Sequence, residues 1–223
     1  DKINNPKDLK KIPVGELAQV CFELRKYIID TINQIGGHLA PTLGTIELTT
    51  AIHYVFDAPK DKIVWDTGHQ AYAHKVLTGR FSEFPTIRKY KGLSGFLKRS
   101  ESEYDIFGAG HASTSISAAL GIASARNLND DDYKVVSIIG DGALSGGLAF
   151  EALNNAGNVR KQLLVIVNDN DMSISPNLGA FRNYLVKIAT NKKYNQIRKW
   201  VYRSIKRFPS KFFVNILRKT EAS

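Results

Sequence analysis

The chain has 223 residues and a formal net charge of +10, and it is 43% apolar and 23% charged, the make-up of an ordinary folded protein with room for a sizeable core. No apolar run reaches the ~20 residues that cross a bilayer. The opening Asp1-Lys2-Ile3-Asn4-Asn5-Pro6 also lacks the basic-then-apolar pattern of a secretory leader, so a soluble chain is expected.

The single cysteine, Cys21, excludes an internal disulfide and fits a reducing cytosol. Charge is unevenly placed: residues 183–223 hold 11 Lys/Arg against one acid, Glu221, leaving 20 basic and 20 acidic residues in 1–182. The expected organisation is an α/β domain over 1–182 and a basic, partly helical tail or linker over 183–223.

Leu17, Val20, Cys21, Leu24, Ile28, Ile32 and Ile35 recur at three- and four-residue steps, which predicts a long amphipathic helix stopped at Gly36-Gly37. Cys21 falls on that stripe, as a buried thiol would. A second helix is predicted over 46–56, ahead of Pro59, and then a short strand over 62–65 that leaves through Asp66-Thr67-Gly68-His69. Residues 78–107, rich in Gly, Ser and charge, read as a long surface excursion. Over 114–128 the small residues Ala118, Ala119, Gly121, Ala123 and Ala125 predict a helix packed closely on a sheet. Residues 135–139 and 163–167 are continuous β-branched or Leu runs, expected as strands buried on both faces. A helix over 147–158 between them makes a βαβ unit. Beyond Pro176 the pattern weakens, until Ile197, Trp200, Val201, Ile205 and Phe208 form an apolar stripe ringed by Arg and Lys.

Gly140-Asp141-Gly142 ends one apolar run and Asn168-Asp169-Asn170 ends the next. A carboxylate and a carboxamide are thereby set at the carboxyl edge of neighbouring parallel strands, where open α/β sheets bind ligands. Mg²⁺ takes oxygen ligands and shares its shell with phosphate oxygens, so Asp141 and Asn170 suit a metal-diphosphate site. Gly140 and Gly142 remove side chains where a backbone must approach, and the helix after Gly146-Gly147 presents free amides. Each motif alone could be only a tight turn.

Of five histidines, His38, His69, His74 and His111 lie in or near glycine-containing loops. They are candidates for phosphate contacts or proton donation near neutral pH, with structural hydrogen bonds as the alternative. Zinc is disfavoured by the lack of His-Glu-x-x-His and of a second cysteine, and neither a Gly-x-Ser-x-Gly elbow nor a P-loop occurs. Gly108-x-Gly110-x-x-Ser113 lacks the third glycine of a dinucleotide fingerprint. The tail, with Tyr194, Trp200, Tyr202 and Phe208 among its cations, could bind nucleic acid or an anionic membrane, or be a solvated linker.

Gly-Asp-Gly followed at this interval by Asn is similar to the thiamine diphosphate signature of transketolase-like enzymes. Gly36-Gly37-His38-Leu39-Ala40, Trp65-Asp66-Thr67-Gly68-His69-Gln70-Ala71-Tyr72, Leu77-Thr78-Gly79-Arg80, Ser100-Glu101-Ser102-Glu103-Tyr104-Asp105, Gly110-His111-Ala112-Ser113-Thr114-Ser115 and Met172-Ser173-Ile174-Ser175 resemble the 1-deoxy-D-xylulose-5-phosphate synthase family, and the match runs through nearly the entire chain.

The resemblance implies a thiamine diphosphate-binding fold with a mostly parallel sheet flanked by helices. It implies a reaction joining pyruvate, after decarboxylation, to D-glyceraldehyde 3-phosphate in a cytoplasmic or plastid-type homodimer, with no nucleic acid or membrane partner. It further implies Asp141, Asn170 and the backbone carbonyl of Met172 on Mg²⁺. His69, Gly110, His111, Ala112, Gly142 and Ala143 would surround the cofactor, and His38, with His69, would serve the chemistry near the reacting carbonyl. Ala112 stands where the family often has Ser, and Ser145 where Thr is common. Family members run to roughly three domains, so the chain is expected to be an incomplete first domain that binds cofactor poorly and turns over nothing alone. A transketolase-type two-carbon transferase is the alternative, opposed by the words at 65–72 and 100–105.

Overall fold

The computed structural model describes residues 3–108, 110–159 and 161–169. They form an α/β fold around a three-stranded, all-parallel sheet in the order β1 (Lys62–Asp66), β2 (Val135–Gly140), β3 (Leu164–Asn168). The class and the helix-flanked parallel sheet are those expected.

Among the described residues four α-helices precede the sheet: α1 (Pro6–Leu9), α2 (Leu17–Ile35), α3 (Ala40–Leu43) and α4 (Ile46–Val55). α1 starts where the Asn5 side chain accepts from the amides of Lys7 and Asp8, with proline inside the first turn. On α2 the predicted stripe is buried, with Cys21, Leu24, Ile28 and Ile32 packed against Ile46, Tyr72, Leu77 and Phe84; burial of each Leu or Ile contributes about 1.5–3 kcal/mol. α2 ends at Gly36, φ 75°, and Gly37, φ 155°. A Cβ on Gly37 would lie 3.1 Å from Ile32 Cδ1, so glycine lets the chain fold back over its own helix.

Side chains of a strand alternate between faces, and here the two faces have different partners. Ile63 and Trp65 of β1, with Val136 and Ile138 of β2, pack on Ile52 of α4 and on Leu97. Val64 and Val135 face Ala119 and Ala123 of the helix Ser115–Leu128, whose small residues permit the close approach the sequence suggests. β2 is buried along its length, but Leu164 and Val167 of β3 remain 45% and 42% exposed. The expectation that both runs are covered on both faces therefore fails for β3. Among the described residues β3 pairs only with β2 at one end of the sheet, and an apolar run does not reveal how many neighbours it has.

Residues 78–107 form the largely exposed excursion that their polarity suggests, anchored at a few buried positions. After the short helix α5 (Tyr72–Lys75), Phe84, Ile87, Leu93 and Leu97 are all buried. The irregular backbone is satisfied from within: Ser94 N donates to Glu101 Oε1 at 2.7 Å and Lys98 N to Asp105 Oδ2 at 2.9 Å. Arg80 donates to both Asp105 oxygens at 2.8 Å, and Glu101 accepts from Lys75 and Arg80. His74, grouped by sequence with the loop histidines, is likewise a core residue. It is wholly buried in α5, its Nδ1 lies 2.9 Å from His53 Nε2, and its Nε2 lies 3.3 Å from Asp105 Oδ1.

Candidate functional site

Asp66 ends β1 on the face opposite Trp65, and its carboxylate is buried beneath the start of α6 (Ser115–Leu128). One oxygen accepts from Ser113 N at 2.8 Å and the other from Ser115 N at 2.9 Å, a placement that also suits the positive end of the helix. Behind it, Ser115 Oγ and Ser137 Oγ of β2 are 3.0 Å apart and buried. Ser113 is left-handed, φ 72°, and its hydroxyl donates to the Ala143 carbonyl at 2.6 Å. Ala143 belongs to the short turn of helix α7 (Asp141–Leu144), which follows directly from β2. A Cβ on Gly146 would lie 2.1 Å from Ser113 Oγ, so this glycine is where the two loops touch. Loop 110–114 is thereby held to the ends of β1 and β2 together.

The sequence-predicted residues sit on this framework. Gly110, His111 and Ala112 are exposed on the loop; Gly142 is exposed and Asp141 and Ala143 are half-buried in α7. α8 (Gly147–Val159) begins three residues further on. A Cβ at Gly110, Gly140 or Gly147 would meet nothing within 4 Å, so the backbone is open to an approaching group. β2 and β3 are parallel and in register with Gly140 opposite Asn168, so the two strands end at the same edge of the sheet. Asn170 and Met172, and the basic segment 183–223, lie outside the described residues. Among the described residues no cluster of three or more His, Cys, Asp or Glu gathers as a metal-holding group.

His38 and His69 come together, their rings 5.1 Å apart between centroids. The turn Gly68–Gln70 that bears His69 is pinned at three points. Thr42 Oγ1 donates to His69 O at 2.9 Å, Thr45 Oγ1 to Gln70 O at 2.8 Å, and the Gln70 amide to Asp66 O. Burial, and secondly the neighbouring His38, holds the His69 imidazole below its usual range against the opposing charge of Asp66. A neutral ring at pH 7 follows, able to give one hydrogen bond and accept another.

Backbone amides at the start of helices, glycines without obstructing side chains and imidazoles form a donor set that fits a phosphate-bearing anion, and Asp141 offers an oxygen to a hard cation. Sequence reasoning overlooked Asp66, Ser113, Ser115 and Ser137 as the frame of this edge. The signal was available in the Ser113-Thr114-Ser115 run at a predicted helix start, where hydroxyl residues favour capping geometry.

A parallel sheet that gathers glycine loops, imidazoles and helix starts at its carboxyl edge defines an open α/β ligand-binding domain. The sequence model of the family described as 1-deoxy-D-xylulose-5-phosphate synthase matches residues 1–223, and the chain belongs to that family. It is 58% identical over 209 residues to the 1-deoxy-D-xylulose-5-phosphate synthase of Carboxydothermus hydrogenoformans, covering 94% of this chain and 34% of that one. The enzyme of the same name from Thermomicrobium roseum is 55% identical over 210 residues, covering 94% and 33%. The chain thus spans about a third of the length of these curated relatives.

Proposed function

We propose that this chain is the diphosphate-binding part of a thiamine diphosphate- and Mg²⁺-dependent transferase of the transketolase class, a homodimeric cytoplasmic synthase. It would condense pyruvate, with decarboxylation, and D-glyceraldehyde 3-phosphate to 1-deoxy-D-xylulose 5-phosphate. The observation that carries this reading is the 2.6 Å bond from Ser113 to Ala143, because it unites the two loops whose residues the family resemblance assigns to one cofactor. The names of the relatives support the product.

Thiamine diphosphate, when bound, supplies an electron sink for carbon–carbon bond chemistry. The chain's own part is to bind and orient. The amides of 110–112 and 142–143 would receive the diphosphate, while Asp141, Asn170 and the Met172 carbonyl would hold the cation. His69, kept neutral beside His38, offers a single proton-bearing nitrogen, and His38 would serve near the reacting carbonyl.

Calorimetry of the full-length protein tests the reading: Asp141→Ala abolishes Mg²⁺-dependent thiamine diphosphate binding, and unchanged affinity would refute it. A pyruvate-dependent assay of that protein separates the synthase from a sugar-phosphate transferase. The 223-residue chain alone turns over nothing, which product formation by the purified chain would contradict.

A further inference from the structure

We propose that Ser113, seated by Asp66, is a positioning residue that welds the 110–112 loop and the 141–143 turn into one anion cradle. The inference rests on the cofactor reading above but concerns two residues that reading leaves unassigned.

Three observations support it independently. The first is cost: Ser113 is held at φ 72°, a conformation that a non-glycine residue adopts at an expense of about 1–3 kcal/mol and keeps only where its surroundings enforce it. The second is the enforcement. Asp66 is 1% exposed, and its two oxygens are spent on the amides of Ser113 and Ser115, so a buried carboxylate fixes the loop backbone immediately after Ala112. The third is direction. The left-handed turn aims the Ser113 hydroxyl out of its own loop and into α7, where it meets the Ala143 carbonyl at 2.6 Å, and Gly146 leaves room for that hydroxyl. A serine needed only to cap α6 would turn its oxygen toward the amides of that helix. Here the carboxylate of a distant strand does the capping and the hydroxyl is free to bridge.

The consequence for binding is preorganisation. Two loops that wander independently must be ordered by the ligand, and that ordering subtracts from affinity. Two loops already joined through Ser113 present their amides at a fixed spacing. Ser113 acts as a positioning residue, through Ala143 and through the loop it belongs to, without touching cofactor or substrate.

The test compares Ser113→Ala with Ser113→Gly in the full-length protein. Both remove the hydroxyl, but glycine also relieves the positive φ. Thiamine diphosphate affinity, read by calorimetry at saturating Mg²⁺, is expected to fall about tenfold in both variants, with kcat at saturating cofactor within about twofold of the parent. Amide exchange at Ser145 and Gly146, whose amides bond within this turn, is expected to quicken about fivefold or more in both without any ligand present. Glycine restoring the parent affinity would overturn the tether in favour of backbone strain alone. Unchanged exchange in both variants would overturn it outright, whether or not the parent protein binds thiamine diphosphate. A parent protein that fails to bind the cofactor while the variants exchange faster would sink the cofactor reading and leave the weld standing. If Ser113→Ala does not fold, the glycine variant carries the same measurements.

Discussion

His53 Nε2 lies 2.9 Å from His74 Nδ1, with both rings wholly buried and their centroids 5.0 Å apart. Asp105, gripped by the Arg80 fork, is an acceptor, so His74 Nε2 bears the proton that faces it. A neutral His74 then accepts through Nδ1 from the N–H of His53. This assignment leaves His53 Nδ1 as a bare lone pair, and no hydrogen-bond partner meets it.

The pair predicts an acid-sensitive fold. Burial, the other histidine and the Arg80 and Lys10 charges hold His53 well below the usual imidazole range. Burial, with help from Arg80 and Lys75 and against the pull of Asp105, lowers His74. The unfolded chain takes up these protons near pH 6.5 and the folded chain only at lower pH, so the stabilisation is complete above that range and is lost as pH falls. Denaturant midpoints should drop between about pH 7.5 and about pH 5.5; a flat profile would contradict the pairing. Asp105 contributes nothing to that window. Burial alone would raise its carboxyl, but the bonds and charges of His74 and Arg80 outweigh burial and hold it far below the carboxylate range.

Arg80→Met should destabilise the chain severely. The substitution leaves the buried Asp105 and the part-buried Glu101 without their guanidinium, and stripping one partner from a buried ion pair costs about 3–5 kcal/mol. Equilibrium unfolding in urea reads this directly, and a loss under about 1 kcal/mol would mean the network is dispensable.

His38→Ala should raise the pKa of His69. The His38 ring is the second cause, after burial, of the depressed value, and removing it both deletes the like charge and admits water. An imidazole titration followed by NMR checks the sign; a further fall would be incompatible with the 5.1 Å ring pair.

Gly146→Ala should be destabilising by about 1–3 kcal/mol, since its Cβ overlaps Ser113 Oγ. In a Ser113→Gly background the obstructing oxygen is gone. The penalty should shrink there by roughly 0.5–3 kcal/mol, the coupling expected of residues in contact. Equal penalties in both backgrounds would show that Gly146 is constrained by something else.

The three strands were legible because β-branched runs are short and bounded: predicted 62–65, 135–139 and 163–167 compare with Lys62–Asp66, Val135–Gly140 and Leu164–Asn168. α2 was legible from its stripe of Leu24, Ile28 and Ile32, for which 3.6-residue periodicity leaves no alternative. Residues 78–107 were legible as a largely exposed excursion but not in their anchors, because the segment buries Phe84, Leu93 and Leu97 at intervals that match no repeat, and its charges read as surface until Arg80, Glu101 and Asp105 are seen to face one another. His74 misled for a related reason: its polarity suggests a loop, whereas its partners come from α4 and from residue 105. On the candidate site, glycines and histidines identified which loops to watch. The link between them through Ser113 is a contact between residues 30 positions apart, and local pattern does not encode such pairs.

Trp65 and Asp66 are consecutive, yet one fills the oily side of the sheet and the other seats a polar seam under α6. Sliding β1 by a single step would drive the carboxylate into hydrocarbon and thrust the indole among serines. The dipeptide therefore works as a key with one permitted insertion, so that the threading of the strand and the placement of the loop at its carboxyl end are decided by the same two neighbours.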